Sequence, residues 1–244
     1  MTPEAHPRGA GALWSADPAA ARAEQRRLAA LAPPTWQPGP PPWTVAGVAL
    51  TAGPADHEGR DPVRAAAVLL RGSEVLATRV EEAVAPAPYV AGLQGVREGP
   101  LLAVAVRGLG RRPDVLLVAA AGRDHPRRAG LALQLGAVLD VPTVGVTDRP
   151  LAARGPQPGP GRGSTAPLLL DGADVARWVR TATGVRPVVA SAAWRTTAGV
   201  AAAVVLATSS GARTPEPLRE ARRLARTAGH GTAGQRAAGA RLTR

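Results

Sequence analysis

Cysteine is absent from this 244-residue chain, which excludes disulfides and thiolate metal sites. Lysine, isoleucine, asparagine and phenylalanine are absent as well, so all 30 basic residues are arginine. Those four missing types share AT-rich codons, and a GC-rich genome accounts for arginine in place of lysine. It does not account for the excess of 30 basic residues over 18 acidic ones. No apolar run reaches the length of a membrane span, and the opening "MTPEAHPRGAGALW" lacks the apolar stretch of a signal peptide. The expectation is a cytoplasmic protein, without a membrane segment and monomeric.

What is present suits a folded enzyme-sized domain. Hydrophobic residues make up 45%, enough for a sizeable core in a chain of this length. The net charge of +12 favours a polyanionic partner, most simply nucleic acid. Part of that excess sits in the tail, where Arg236, Arg241 and Arg244 have no acidic neighbour.

Residues 1–16 read as disordered, 17–228 as a single domain and 229–244 as a basic disordered tail. A helix over 17–31 has Asp17 as N-cap and Pro18 in its first turn. The Pro-rich "PPTWQPGPPP" reads as an extended linker. Strands follow at 45–51, 64–71 and 74–80, with Gly72-Ser73 as a hairpin signal. A helix over 97–109 is opened by Pro100. "DVLLVAAA" (114–121) is a continuous apolar run, the mark of a strand covered on both faces. A helix over 128–140 and a strand over 142–147 complete parallel crossover units behind the antiparallel hairpin. A flexible Gly/Pro loop occupies 153–167. Strands over 175–182 and 186–191 and helices over 197–208 and 214–228 end the domain. In the last helix Arg219, Arg222, Arg223 and Arg226 share one face, either a solvated stripe or a phosphate-tracking surface.

Several segments, in order, resemble the endonuclease V family: "VAGVALT", "PAPYVAGLQGVREGP", "PDVLLVAAAGRDHPRRAGLALQLGAVLDVPTVGV", "GVRPVVAS" and "TPEPLREARRLA". The resemblance covers about residues 17–226. It implies a ribonuclease-H-like α/β fold, a mixed sheet flanked by helices. It also implies a DNA-repair hydrolase that recognises deoxyinosine in DNA or inosine in RNA and cuts with a divalent metal, usually Mg2+. The family places an Asp near the end of its first strand, a Glu in "REG", an Asp opening "DGQG", a Lys after "GV" and a His before Arg. Only the Glu remains here, as Glu98. The other positions hold Ala49, Ala119, Asp148 and Trp194. Ala offers no ligand, Asp reverses the charge of Lys, and Trp can only donate. Magnesium dehydrates reluctantly and is not organised by one carboxylate. The resemblance therefore points to a degenerate member that binds nucleic acid, DNA or RNA and inosine-containing strands among them, with no metal bound and no cleavage.

By the same resemblance Tyr89 matches an aromatic wedge, Gly92, Leu93 and Gly122 match a flipped-base pocket, and His125 with Arg127 and Arg128 matches the "HPRR" turn. Each also has a plain reading: Tyr89 as a surface or core side chain, the glycines as turn chemistry, His125 as a structural residue. Glu98 alone fits an anion at a helix start, favoured by the helix dipole. Trp194 fits core filling or base stacking. Two other functions remain open. One is an active Mg2+-dependent nuclease that uses Glu98 with relocated ligands Asp124, His125 and Asp148. The other is a protein-interaction module or a drifting paralogue.

Overall fold

The computed structural model describes residues 13–54 and 61–239, the side chains of 229–239 aside. The expected disorder of 1–12, together with Arg241 and Arg244, lies outside the described residues. Of the expected disordered leader, residues 13–16 are part of the domain: Leu13 is buried in the main core and Trp14 packs onto Gly99. The reason is their apolar surface, which contributes more when buried than a short polar leader would.

Eight strands form one sheet: β1 (Thr44–Ala52), β2 (Pro62–Arg71), β3 (Glu74–Val84), β4 (Val115–Val118), β5 (Thr143–Thr147), β6 (Thr165–Leu170), β7 (Ala173–Val179) and β8 (Val188–Ala192). Their order is β3-β2-β1-β4-β5-β8-β7-β6. The central β1, β4 and β5 run parallel and the rest antiparallel. Helices α1 (Pro18–Ala30), α2 (Gln94–Arg107) and α3 (Leu131–Leu139) supply the core on one face. Helices α4 (Ala198–Ala207) and α5 (Glu216–Gly239) cover the other. The sheet alternates accordingly: Ala46 and Val48 of β1 face the first layer, while Val45 and Ala49 face the second.

Local chemistry explains most boundaries. Asp17 caps α1, accepting from the amides of Ala19 and Ala20 at 2.9 and 3.2 Å. Gly72-Ser73 joins β2 to β3 as a two-residue turn, with Gly72 at φ +59°. With no phenylalanine or isoleucine, the largest fully buried side chains are leucines and valines. Alanines and a glycine bring elements close: a Cβ at Gly47 would strike the backbone of Pro217, where α5 crosses β1.

Among the expected boundaries that differ, three have a clear local cause. Helix α2 starts at Gln94, not near residue 97, and Pro100 lies inside it. The proline only removes the donor for the Val96 carbonyl, which the packed helix tolerates. Residues 165–167, expected in a loop, belong to β6, the edge strand of the sheet. Pro167 is acceptable at an edge because a missing ladder donor matters least there. The remainder of that loop is tied down: Arg180 donates to the carbonyls of Pro158 and Gly159, and Arg162 to those of Leu206 and Ser209. Finally, α5 runs to Gly239, past the expected end at 228 and into the tail expected to be disordered. No proline interrupts that stretch.

Candidate functional site

Parallel pairing puts Val48 beside Val118, and the Ala119 amide donates to the Val48 carbonyl at 3.4 Å. Ala49 and Ala119 are thereby neighbours at the carboxyl end of β4. Both line a cavity of about 180 Å³ with Gln94, Glu98 and Leu102 of α2, Leu131 of α3 and Arg222 of α5. Helices α2 and α5 flank opposite faces of the sheet, so Glu98 and Arg222 reach the cavity from different sides. The spacing of the sequence motifs thus brings Ala49, Glu98 and Ala119 together.

Glu98 lies in the second turn of α2, because the helix starts early. The dipole of the first turn is then a weak reason for its charge. Its partner is Gln94, one turn earlier, whose Nε2 donates to Glu98 Oε2 at 3.0 Å. Burial pushes the Glu98 carboxyl above the usual carboxylate range, against the Gln94 hydrogen bond and the Arg97 charge.

A magnesium ion of the kind the family implies does not fit this cavity. Its walls carry one carboxylate, two alanine methyls and a guanidinium. Mg2+ needs oxygen ligands to offset lost hydration, and a cation beside Arg222 is repelled. Among the described residues, no group of three or more His, Asp or Glu could hold a metal ion.

The relocated ligand set is not assembled. Asp124 is 1% exposed and accepts from the amides of Leu151, Ala152 and Ala153 at 2.7–2.8 Å. The Asp148 Oδ1 is held by Arg213 at 2.5 Å, in a separate cleft. In His125, Nε2 lies 3.2 Å from the Gly92 carbonyl and Nδ1 accepts from the Arg127 amide at 3.1 Å. That pattern fits the neutral ring with its proton on Nε2. Burial, and then Arg127, push its pKa down to about 4.

The basic turn is an internal clamp. Arg123 donates to the carbonyls of Ala29 and Leu31 at the end of α1. Arg127 donates to Gln25 Oε1 at 2.5 Å and to the Gly92 carbonyl at 2.7 Å. Arg128 donates to the Leu170 carbonyl and to Asp171, at 2.8 and 3.0 Å. The Gly92 carbonyl, with Gly92 at φ +76°, faces three side chains: Gln25, His125 and Arg127. Leu93 is buried beside it. Gly122 is packed against the end of β8, where a Cβ would meet the Ala192 carbonyl. Tyr89 stands out by contrast, 65% exposed on the loop before α2.

Trp194 is 7% exposed and belongs to the core, packed on α3 at Gly136, with its indole N–H toward Asp140 Oδ1 at 3.3 Å. It is not among the cavity's lining residues. The arginine stripe of α5 divides: Arg219 and Arg223 pair with Glu216 and Glu220 one turn back, while Arg222 turns to the cavity. Sequence reasoning missed that role for Arg222. It also missed Gln94, for which the i, i+4 spacing to Glu98 was the available signal.

A central parallel trio, a hairpin edge on one side, helices on both faces and a cavity at the strand ends define a ribonuclease-H-like protein. The endonuclease V family model matches residues 35–223. Endonuclease V of Streptomyces coelicolor is 39% identical over 219 residues, covering 88% of this chain and 92% of that protein. The crystal structure of endonuclease V from Streptomyces avermitilis superposes with a TM-score of 0.79 at 37% identity, covering 90% of this chain and 96% of that one. Endonuclease V of Ciona intestinalis, in complex with a 24mer DNA containing an inosine followed by a ribo-adenosine, shares the fold. It does so with a TM-score of 0.72 at 19% identity, covering 88% of this chain and 98% of that one. The chain belongs to the endonuclease V family. None of its described helices is long and apolar enough to cross a membrane.

Proposed function

We propose that this protein binds nucleic acid, inosine-containing strands in particular, and does not hydrolyse it, acting as a cytoplasmic monomer. The observation that carries the reading is the composition of the cavity. Ala49 and Ala119 occupy the two strand positions beside Glu98, and Arg222 supplies a positive charge there. A guanidinium at this place can take a phosphate oxygen directly, as a bidentate donor that needs no metal. Exposed Tyr89 sits just ahead of α2, which supplies Gln94 and Glu98, and offers a ring for stacking on a base.

Cleavage needs a hydroxide equivalent and a stabilised leaving oxygen. With one partly buried carboxylate whose pKa is raised, Glu98 is the sole carboxylate in the cavity's lining available to act as a base. The deciding experiment mixes the protein with inosine-containing and inosine-free oligonucleotides, DNA and RNA, with EDTA, Mg2+ or Mn2+. Retention of the inosine strand on a gel, unchanged by EDTA, with no scission at enzyme excess is the expected result. Inosine-specific scission that disappears in Glu98→Ala overturns the loss of cleavage. Absence of any retention at low salt overturns the binding.

A further inference from the structure

Beyond the Glu98 cavity, the same end of the sheet carries a second cleft, of about 370 Å³. It is lined by Asp148, Arg149, Gln157, Trp178, Arg186, Pro187 and Arg213. Its size falls in the range of small-molecule sites, about 300–1,000 Å³. Asp148 and Arg149 directly follow β5, Arg186 and Pro187 directly precede β8, and Arg213 lies between α4 and α5. Because β4 and β5 are parallel, the cleft and the Glu98 cavity open at the same strand ends.

Charge in the cleft is unbalanced. Three guanidiniums face one carboxylate, and that carboxylate is taken by Arg213, which also donates to the Arg186 and Pro187 carbonyls. Arg213 is thereby fixed in place. The side chains of Arg149, Arg186 and Gln157 have no hydrogen-bond or ion-pair partner among the described residues. Free donors around a polar hollow, with little on the acceptor side, describe a seat for an anion with several oxygens.

We infer that Arg149, Arg186 and Arg213, with Gln157, form a second phosphate-binding cleft. Its ligand is a phosphate group, on the backbone of a nucleic-acid strand that also enters the Glu98 cavity. This choice of strand rests on the proposed nucleic-acid binding; the phosphate chemistry does not. The cleft lies over β5 and β8, one to two strands from the cavity over β4, a span of about 5–10 Å at ~4.8 Å per strand. A strand rising ~3.4 Å per nucleotide crosses it in about two to three nucleotides. The alternative source of the same chemistry is a free nucleotide.

The test compares the full chain with Arg149→Gln/Arg186→Gln and with Arg71→Gln/Arg107→Gln. The second pair removes the same charge from exposed arginines outside both sites. Oligonucleotide binding is followed by fluorescence anisotropy across a salt series, and inosine monophosphate and pyrophosphate binding by calorimetry. For a strand-bound phosphate, the cleft pair lowers oligonucleotide affinity tenfold or more. It also flattens the slope of log K against log salt by about 1.4, two contacts at ~0.7 each. The control pair stays within about twofold of the parent. Unchanged oligonucleotide binding with loss of the mononucleotide in the cleft pair alone keeps the cleft and reassigns its ligand to a free nucleotide. If the parent binds no oligonucleotide but binds pyrophosphate through these arginines, the proposed function fails and the cleft stands. Equal behaviour of both pairs in both assays, or no binding of any phosphate by the parent, overturns the cleft.

Discussion

Two regions of this molecule sit side by side and differ in what holds them. In the 123–128 turn, every polar side chain described is spent on the fold: Asp124 on three amides, His125 on two backbone groups, Arg123, Arg127 and Arg128 on carbonyls and side chains of α1, the loop before α2 and the β6–β7 turn. In the Glu98 cavity, Ala49 packs with Val68, Leu70 and Ala221 without any polar duty. Clustered carboxylates repel one another unless a cation joins them, so they contribute function rather than stability. The His-Pro-Arg-Arg turn is different, because its His and Arg side chains hold backbone groups of the neighbouring segments. Alanines can therefore stand at strand ends such as these while the neighbouring turn is kept by the fold, and the presence of that turn says little about chemistry.

That contrast can be broken most sharply at Asp124. Asp124→Ala strands three amides and is expected to cost at least ~3 kcal/mol in urea unfolding; a stability within 1 kcal/mol of the parent, roughly the value of one ordinary hydrogen bond, would dissolve the difference between the regions. His125 comes next. Its folded pKa, about 4, lies below the unfolded value, so its stabilisation is complete above the unfolded pKa. Stability is lost as pH falls through the folded value, by up to about 3 kcal/mol. Denaturation curves between pH 7 and pH 4 should show that slope in the parent and a shallower one in His125→Gln, with Arg127, Asp124 and Gly92 left as the surrounding groups.

The cavity responds in the opposite sense. Ala49→Asp/Ala119→Asp places two carboxylates beside Glu98, so the variant should melt a few degrees lower in EDTA, about 1–2 kcal/mol. Mn2+ or Mg2+ should restore the loss by binding the folded state, whereas the parent shows no metal-dependent shift. A parent that shifts equally would mean that the cavity holds metal as it stands. The smallest effect belongs to Glu98→Gln. Because burial raises the folded pKa of Glu98, its favourable contribution exists below the unfolded pKa and is lost as pH rises through the folded one. The variant should therefore melt ~1–3 °C higher than the parent at pH 7 and match it near pH 4.

Much of this was legible in the sequence. Asp17 before Pro18 announced a capped helix, and "DVLLVAAA" a strand covered on both faces. The meeting of Ala49 and Ala119 was implied by the family resemblance of their two segments; the parallel register of β1 against β4 that produces it is seen in the fold. Other features needed three dimensions. The edge strand β6 hides behind Pro167 and the Gly/Pro run before it. Its turn, however, is readable: Asp171-Gly172, both at positive φ, joins Leu170 to Ala173. The start of α2 is masked by Gly92 and Gly95, and no local rule sends Arg222 around the sheet end. Trp194, which fitted core filling or base stacking, lies in the core, where its bulk fills the space that Gly136 leaves against α3; the stretch "SAAWRTT" does not say which neighbour it meets.

The Gly92 carbonyl has one more consequence, for the loop that ends there. Three donors from α1 and the basic turn grip it, Leu93 is sunk beneath it, and Arg97 holds the Ala87 carbonyl at 3.0 Å. The backbone on both sides of Tyr89 is thus anchored before any ligand arrives. Ordering a loop residue costs about 1–2 kcal/mol in backbone entropy. A base stacking on this ring orders one side chain instead, and keeps the difference as affinity.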